Sequence, residues 1–302
     1  MSAEEPGSRL MSFEGVLPAI ITPFNEDYSL DEEGLRRNIE LLAESGIVGI
    51  VPCGTTGESA TLTHEEHKRV VEIAVDCSKV PVVAGTGSNN TAEAIELTKH
   101  AADAGAAAAL LITPYYNKPN DRGMFEHYRL IAEKCDIPII LYNVPKRTGI
   151  DLKPELVARL SRVKNIAGIK EASGSLSQVS QIIEQTRDTG FTVLSGDDDI
   201  TIPIMALGGS GVVSVVANVA PKRTVEMVNA MAKGDLKTAR KLHFELAPLV
   251  RSMFLETNPI PVKTAYKLMG LAAGPLRLPL ASMAPDKEKV LKDLIDKLGE
   301  FK

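Results

Sequence analysis

Short apolar segments alternate with longer amphipathic segments along most of the chain, and the alternation repeats about every 25 to 30 residues. The apolar segments predict eight β-strands, at Val16–Thr22, Gly49–Cys53, Pro81–Gly85, Ala107–Thr113, Pro138–Asn143, Ile166–Glu171, Thr192–Ser195 and Gly211–Val216. Between the strands, apolar residues return at three- and four-residue spacing, as in Leu35–Ala43 and Val70–Cys77, which predicts amphipathic helices. The chain is therefore predicted to be an α/β protein.

Strands that are apolar almost throughout predict a parallel sheet, because parallel strands are buried on both faces. Eight such strands, each followed by a helix, predict a closed (β/α)8 TIM barrel, and an open doubly wound sheet is the alternative. Capping residues support the helix boundaries. Asp31 precedes the first helix, Thr63 and Glu66 have capping-box spacing, and Gly105 stands where a helix should end.

After the eighth strand the helical pattern continues almost to the C-terminus. Four helices are predicted, at Val225–Ala232, Leu236–Met253, Pro261–Met269 and Lys287–Leu298. The first completes the eighth βα unit, and the other three have too little apolar surface for a core of their own, so they should pack on the barrel or on a neighbouring subunit. We expect an N-terminal extension at residues 1–12 that is flexible, a catalytic barrel at 13–233 and a C-terminal helical region at 234–302.

Composition narrows the class of protein. The chain has 302 residues, of which 44% are hydrophobic and 24% charged, as in ordinary globular proteins. Its 34 basic and 39 acidic residues give a net charge of −5 without a basic stripe, which argues against nucleic acid as a partner. The acidic N-terminus and the short apolar segments predict a cytoplasmic protein without membrane segments. Cys53, Cys77 and Cys135 lack CxxC spacing and are expected to be free thiols in a reducing compartment.

Lys170 is the most informative single residue. In a βα barrel the chemistry lies at the C-terminal ends of the strands, and Lys170 stands there after four residues suited to burial. Alternation along the strand places it on one face with Gly168 and Ala172, pointing into the barrel between small neighbours. Burial disfavours the ammonium form, and a neutral amine can form a Schiff base with a carbonyl substrate. The alternative is a lysine that snorkels to solvent or pairs with a carboxylate of 197–199.

Three hydroxyl groups and one guanidinium complete the predicted site. Tyr142 ends the neighbouring strand and should face the interior near Lys170, where a phenol can shuttle protons. Thr55 would connect it to another hydroxyl such as that of Tyr116. The fork of Arg147 suits a carboxylate. The alternatives are core aromatics with hydroxyls that happen to find partners, and a surface salt bridge at Arg147.

Two further motifs do not predict a cofactor or a metal. The sequence GTGSNN at 85–90 begins like a dinucleotide-binding loop but lacks the third glycine. His64 and His67 stand on one helical turn, yet the sequence is not HExxH and offers no evident third ligand.

Six motifs stand in order at the predicted strand ends: GTTGES, TPYYN, YNVPKRTG, GIKEASG, SGDD and GVVSVVANV. On these motifs the chain resembles the dihydrodipicolinate synthase (4-hydroxy-tetrahydrodipicolinate synthase) family, in the pyruvate Schiff-base aldolase and N-acetylneuraminate lyase superfamily. The resemblance extends from about Phe13 to the C-terminus. It implies a homotetramer of two tight dimers that condenses pyruvate with L-aspartate 4-semialdehyde through a lysine Schiff base. The product is 4-hydroxy-tetrahydrodipicolinate, in lysine and diaminopimelate biosynthesis.

The same resemblance implies roles for the catalytic residues. Lys170 matches the Schiff-base lysine of the family, and Tyr142 matches its general acid and base. Thr55 and Tyr116 match the other members of a proton relay. In this family the tyrosine at the position of Tyr116 reaches across the dimer interface into the partner's site.

For substrate binding, Thr56 and the backbone of Val213 match the pyruvate contacts, and Arg147 matches the arginine that meets the semialdehyde carboxylate. N-acetylneuraminate lyases and sugar-acid aldolases share the barrel, the lysine and the tyrosine, and they are the alternative function. Thr55, Tyr116 and Arg147 together favour the synthase. A barrel that kept only a binding or structural role is the third hypothesis.

The resemblance also implies a feedback site for lysine at the tight-dimer interface. The matching positions are Ser59, Ala60, His64, His67, Asn89, Glu93 and Tyr115. Glu93 would hold the α-ammonium of lysine, Asn89 and Tyr115 its carboxylate, and His67 would lie near its side chain. The alternative is that these residues are ordinary polar groups of an interface.

Overall fold

The computed structural model describes residues 13–299 and shows one curved parallel sheet surrounded by helices. Within these residues seven strands pair in the order β1-β7-β6-β5-β4-β3-β2. They are β1 Gly15–Pro18, β2 Val83–Gly85, β3 Ala108–Ile112, β4 Ile139–Asn143, β5 Ile166–Glu171, β6 Thr192–Ser195 and β7 Gly211–Ser214.

The predicted strand at 49–53 is the one segment that does not form a continuous strand. It makes single parallel bridges, one from Val51 to Ala19 beyond β1 and one from Ile50 to Val82 before β2. Pro52 has no N–H group for a ladder, and Cys53 leaves the extended conformation with a φ of 55°. The bridges nevertheless join the two edges of the sheet. The barrel prediction is therefore confirmed, and the open doubly wound alternative is wrong.

Each strand of the described residues is followed by at least one helix, and the last four helices follow one another after β7. They are α1 Glu32–Ala43, α2 His64–Cys77, α3 Thr91–Ala104, α4 Asp121–Lys134, α5 Pro145–Thr148, α6 Pro154–Leu160, α7 Leu176–Thr186, α8 Thr201–Ala206, α9 Pro221–Ala232, α10 Leu236–Ser252, α11 Ile260–Leu268 and α12 Pro285–Leu298. The predicted caps are confirmed. Asp31 accepts from the N–H of Gly34, Thr63 and Glu66 form a capping box, and Gly105 ends α3 with a φ of 97°.

Apolar side chains fill the middle of the barrel interior and the space between the strands and the helices. The interior layer is formed mainly by Leu17, Val51, Val83, Leu110, Ile140, Leu194 and Val213. Two larger clusters lie outside the strands and bury the inner faces of the helices. Because this interior is packed, a ligand that enters the barrel is expected at the C-terminal ends of the strands.

The C-terminal helices pack on the barrel, as expected. Leu246 of α10, Tyr266 of α11 and Leu291 of α12 are buried in one cluster with Leu35 and Ile39 of α1. The boundary between residues 233 and 234 stays a prediction, and the N-terminal extension at 1–12 lies outside the described residues.

Cys53, Cys77 and Cys135 are free thiols. In the part of the chain that the structure describes, no helix is both long and apolar enough to cross a membrane.

Candidate active site

A cavity of about 570 Å³ opens at the C-terminal ends of the strands. This volume is ordinary for a site that binds small organic molecules. Five of the predicted site residues line it, namely Thr55, Thr56, Tyr142, Arg147 and Lys170. The residues that the sequence reasoning assigned no role there include Gly196, Asp199, Phe254, Glu256 and Asn258.

Lys170 lies in β5 at the cavity and is only 6% exposed. Strand register places it beside Tyr142 of β4, and its Nζ lies 4.2 Å from the centre of the Tyr142 ring. The predicted inward orientation and the predicted neighbour are thus confirmed. Within the described residues Lys170 forms no ion pair, so the alternative of pairing with a carboxylate of 197–199 is wrong.

Gly196 provides the space that the lysine side chain occupies. A Cβ atom at this position would lie 3.1 Å from both Cγ and Cε of Lys170 and 2.7 Å from the Cβ of Ala172. Any larger residue would therefore push the lysine away from its present path. One signal for this role is visible in the sequence, since Gly196 follows the seventh predicted strand directly, at the end where site residues are expected.

Thr55 and Thr56 stand on a tight loop of residues 53–58, which we call the threonine loop. Cys53 and Glu58, at its two ends, have positive φ angles of 55° and 54°. Such backbone conformations in non-glycine residues persist only where the surroundings hold them. One such support is the hydroxyl of Thr22, which donates to the carbonyl of Gly57 at 2.7 Å.

The C-terminal helical region supplies further support for the threonine loop. Lys263 Nζ of α11 lies 2.5 Å from Glu58 Oε1, and both side chains are almost fully buried. The backbone N–H of Arg277 donates to the other oxygen of Glu58 at 3.0 Å. Burial lowers the pKa of Lys263 to about 8, although Glu58 beside it favours the charged form. The buried carboxylate of Glu58 thus has a partner at each oxygen, and it fixes the end of the loop that carries Thr55 and Thr56.

Arg147 and Thr56 are both held by Asn258, which precedes α11. The Arg147 Nη2 donates to the backbone carbonyl of Asn258 at 3.1 Å, and the Asn258 Nδ2 donates to Thr56 Oγ1 at 3.0 Å. In the described part of the chain Arg147 forms no ion pair, so the alternative of a surface salt bridge is wrong. Its guanidinium remains at the cavity mouth, where it can meet an anion.

Tyr116 and Val213 do not line the cavity of their own chain. Tyr116 is 90% exposed and has a φ of 67°, so the expectation that Thr55 connects Tyr142 to Tyr116 is not met within one chain. Val213 is buried in β7, and Val215, just beyond the end of that strand, lines the cavity instead.

Four of the predicted feedback-site residues lie together on one side of the barrel. Glu93 Oε1 lies 2.6 Å from His64 Nε2, and Asn89 Nδ2 donates to the carbonyl of Tyr115 at 3.2 Å. The hydroxyl of Ser88 donates to the other oxygen of Glu93. Burial, followed by the nearby Glu93 carboxylate, raises the pKa of Tyr115. These contacts join α2, α3 and the segment after β3 in one polar cluster.

The remaining feedback-site residues border this cluster from α2 and the turn before it. Ser59 and Ala60 lie in the short helical turn Ser59–Thr61. His67 is buried, and its Nε2 lies 2.8 Å from the carbonyl of Gly85. Burial lowers the pKa of His67, so the ring is neutral at pH 7. His64 and His67 therefore have different partners and do not converge on a common point.

The comparisons with known proteins agree on one family. The model of the dihydrodipicolinate synthetase family matches residues 12–298. The 4-hydroxy-tetrahydrodipicolinate synthase of Methanothrix thermoacetophila is 71% identical over 289 residues, which cover 96% of this chain and 98% of that protein. A solved dihydrodipicolinate synthase with 53% identity has a TM-score of 0.92 and covers 95% of this chain and 99% of that chain.

Two other solved structures contain small molecules. The dihydrodipicolinate synthase of Acinetobacter baumannii, described as chloride inhibited and complexed with pyruvate, is 42% identical, with a TM-score of 0.93 and coverage of 95% and 99%. The synthase of Cyanidioschyzon merolae, described with lysine bound, is 39% identical, with a TM-score of 0.92 and coverage of 95% and 98%.

Proposed function

The chain belongs to the dihydrodipicolinate synthetase family, and from this premise we propose how its residues divide the reaction. The enzyme is a 4-hydroxy-tetrahydrodipicolinate synthase, a Schiff-base lyase of the aldolase type. It condenses pyruvate with L-aspartate 4-semialdehyde in lysine and diaminopimelate biosynthesis. The names of the curated relatives favour this reaction over that of the N-acetylneuraminate lyases.

Lys170 is the proposed nucleophile. Its amine attacks the C2 carbonyl of pyruvate, a C–N bond forms, and the carbonyl oxygen leaves as water after it is protonated. The resulting imine withdraws electrons from C3, which loses a proton and then attacks the aldehyde carbon of the semialdehyde. The product's own amino group displaces Lys170 from C2, closes the ring and restores the amine. The imine acts as the electron sink, so the proposed steps need no cofactor. The observation that carries this proposal is the buried amine of Lys170 at the cavity, 4.2 Å from the Tyr142 ring.

Tyr142 is the proposed general acid and base for these proton transfers. Its position beside Lys170 in the strand register supports this role, because a proton donor has to be within reach of the reacting atoms. Thr55 would pass protons to and from Tyr116 of a neighbouring subunit. The exposure of Tyr116 in the single chain supports a tight dimer in which this side chain enters the partner's cavity, and by the family resemblance two such dimers would form a homotetramer.

Two groups of residues are proposed to hold the carboxylates of the substrates. Thr56, which is 2% exposed and lines the cavity, would bind pyruvate there, and a second contact from the backbone of Val213 rests on the family resemblance alone, because Val213 does not line the cavity. Arg147 would bind the carboxylate of the semialdehyde at the mouth. We place the enzyme in the cytoplasm.

Borohydride reduction in the presence of pyruvate tests this proposal. We expect a covalent adduct of about 72 Da, the mass of a reduced pyruvate imine, on the peptide that contains Lys170. Lys146 is an internal control, because it is an exposed lysine that lines the same cavity. Peptide mass spectrometry distinguishes the two lysines. No adduct, or an adduct mainly on Lys146, would contradict the proposed nucleophile.

Lysine is the proposed feedback inhibitor, and the polar cluster around Glu93 is its proposed site. The carboxylate of Glu93 can hold the α-ammonium of lysine. The neutral ring of His67 does not repel a cationic ligand. The solved relative with bound lysine supports the existence of such a site in the family.

We expect millimolar lysine to reduce the initial rate of the enzyme. We also expect Glu93→Gln to weaken this inhibition by about tenfold, because the amide removes a charge–charge contact. Glu96→Gln is the matched control, since Glu96 lies on the same helix and pairs with Lys68 on the surface. A rate that is independent of lysine in the unmodified enzyme would refute the proposal, and equal effects of the two substitutions would refute the assigned site.

A further inference from the structure

Asn258 contacts both side chains that are proposed to hold substrate carboxylates. It lies before α11, is 5% exposed and lines the cavity. Its carboxamide donates to Thr56 Oγ1, and its backbone carbonyl accepts from Arg147 Nη2. The two contacts therefore use different parts of the same residue.

The contact with Thr56 has a definite polarity. An amide NH₂ group can only donate, so the Thr56 oxygen accepts this hydrogen bond and its own proton stays available for another acceptor. A substrate carboxylate can only accept. Asn258 thus orients the Thr56 hydroxyl so that it can donate its proton to the carboxylate of an α-keto acid.

The side-chain oxygen of Asn258 indicates that the hydrogen bond to Thr56 determines the orientation of the carboxamide. Within the described residues, Asn258 Oδ1 is buried and has no hydrogen-bond partner. An unpaired buried acceptor costs free energy, and such atoms in folded proteins call for a functional reason. Holding the hydroxyl of Thr56 is a reason that the geometry supplies.

We propose that Asn258 is a positioning residue that orients Thr56 through its side chain and anchors Arg147 through its backbone. The inference rests on the proposed function, since it assumes that Thr56 binds pyruvate and Arg147 binds the semialdehyde. It assigns part of the active site to the C-terminal helical region. It also predicts different effects on the two substrates. A change of the Asn258 side chain removes the contact with Thr56 and leaves the backbone contact with Arg147 in place.

Steady-state kinetics of side-chain variants test this separation. Asn258→Ala should raise the KM for pyruvate about tenfold, the effect of losing one hydrogen bond to a charged group. The KM for the semialdehyde should change less than about twofold, because the backbone carbonyl that holds Arg147 remains. A residue that merely supported the fold would affect both values together.

Three further comparisons make the test independent of how well the single alanine variant folds. Asn258→Asp keeps the shape of asparagine but accepts the Thr56 proton, so it should raise the KM for pyruvate more than alanine does. Asn229→Asp makes the same chemical change on the exposed face of α9 and should leave both KM values unchanged. In a Thr56→Val background, Asn258→Ala should have no further effect on the KM for pyruvate, since its contact is already gone.

The pyruvate concentration that gives half-maximal borohydride trapping distinguishes a failure of this inference from a failure of the proposed function. An unmodified enzyme that forms no adduct overturns both. An unmodified enzyme that forms the adduct, with Asn258 variants that trap pyruvate at the same half-saturation, overturns the positioning role alone. Additive effects of the Asn258 and Thr56 substitutions overturn it as well.

Discussion

Replacing Lys170 by arginine is expected to lower kcat by about 10³-fold or more, the scale seen when a catalytic nucleophile is removed. Arginine keeps the positive charge but cannot form an imine, because its guanidinium stays protonated at any pH at which the protein is folded. The measurement is the steady-state rate with both substrates, combined with borohydride trapping of pyruvate. A thermal melt records whether the barrel remains folded.

Two other variants serve as controls for this experiment. Lys170→Ala removes the amine without adding bulk beside Gly196, and it should be equally inactive. Lys146→Arg changes an exposed lysine of the same cavity and should still give the adduct on Lys170. A Lys170→Arg enzyme that keeps more than a few per cent of its activity would rule out the Schiff-base role of this residue.

Replacing Lys263 by methionine is expected to lower the free energy of unfolding by about 3 to 5 kcal/mol. Lys263 and Glu58 form an ion pair at 2.5 Å with exposures of 2% and 0%. Methionine would leave the Glu58 carboxylate buried without its charged partner, which is the costly way to break such a pair. Denaturant unfolding at one fixed protein concentration gives the value.

The matched control is Lys292→Met, which removes an exposed partner of Asp296 from α12. Surface pairs of this kind contribute about 0 to 1 kcal/mol, so this variant should unfold almost like the original. Adding Glu58→Gln to Lys263→Met should recover part of the loss, because the unpaired charge is then gone. If the two lysine variants unfold alike, Lys263 does not stabilise the buried carboxylate.

Much of the fold could be predicted because barrel strands and their helices leave local signals. A parallel strand buried on both faces is a short apolar run, and the predicted runs coincide with β1 to β7 to within a few residues at each end. The prediction of a continuous strand at 49–53 was wrong for a local reason too. Pro52 and the backbone of Cys53 interrupt the ladder, although the apolar pattern of the segment is that of a strand.

Local patterns along the strands also predicted part of the active site. Alternation along β5 and β4 was enough to turn Lys170 and Tyr142 towards the interior, since successive side chains of a strand point to opposite faces. It could not place Tyr116. That side chain lies on the loop between β3 and α4, outside the cavity of its own chain, where alternation along a strand no longer applies.

By itself the sequence determined the alternation of strands and helices, the inward lysine and tyrosine, and the resemblance to one family, because each depends on neighbours along the chain. Only the tertiary structure decided what holds the threonine loop. Asn258, Lys263 and Arg277 reach Thr56 and Glu58 across more than 200 residues of sequence. Such contacts follow from how the C-terminal helices pack on the closed barrel, and a buried polar group shows its partner only once both are in place.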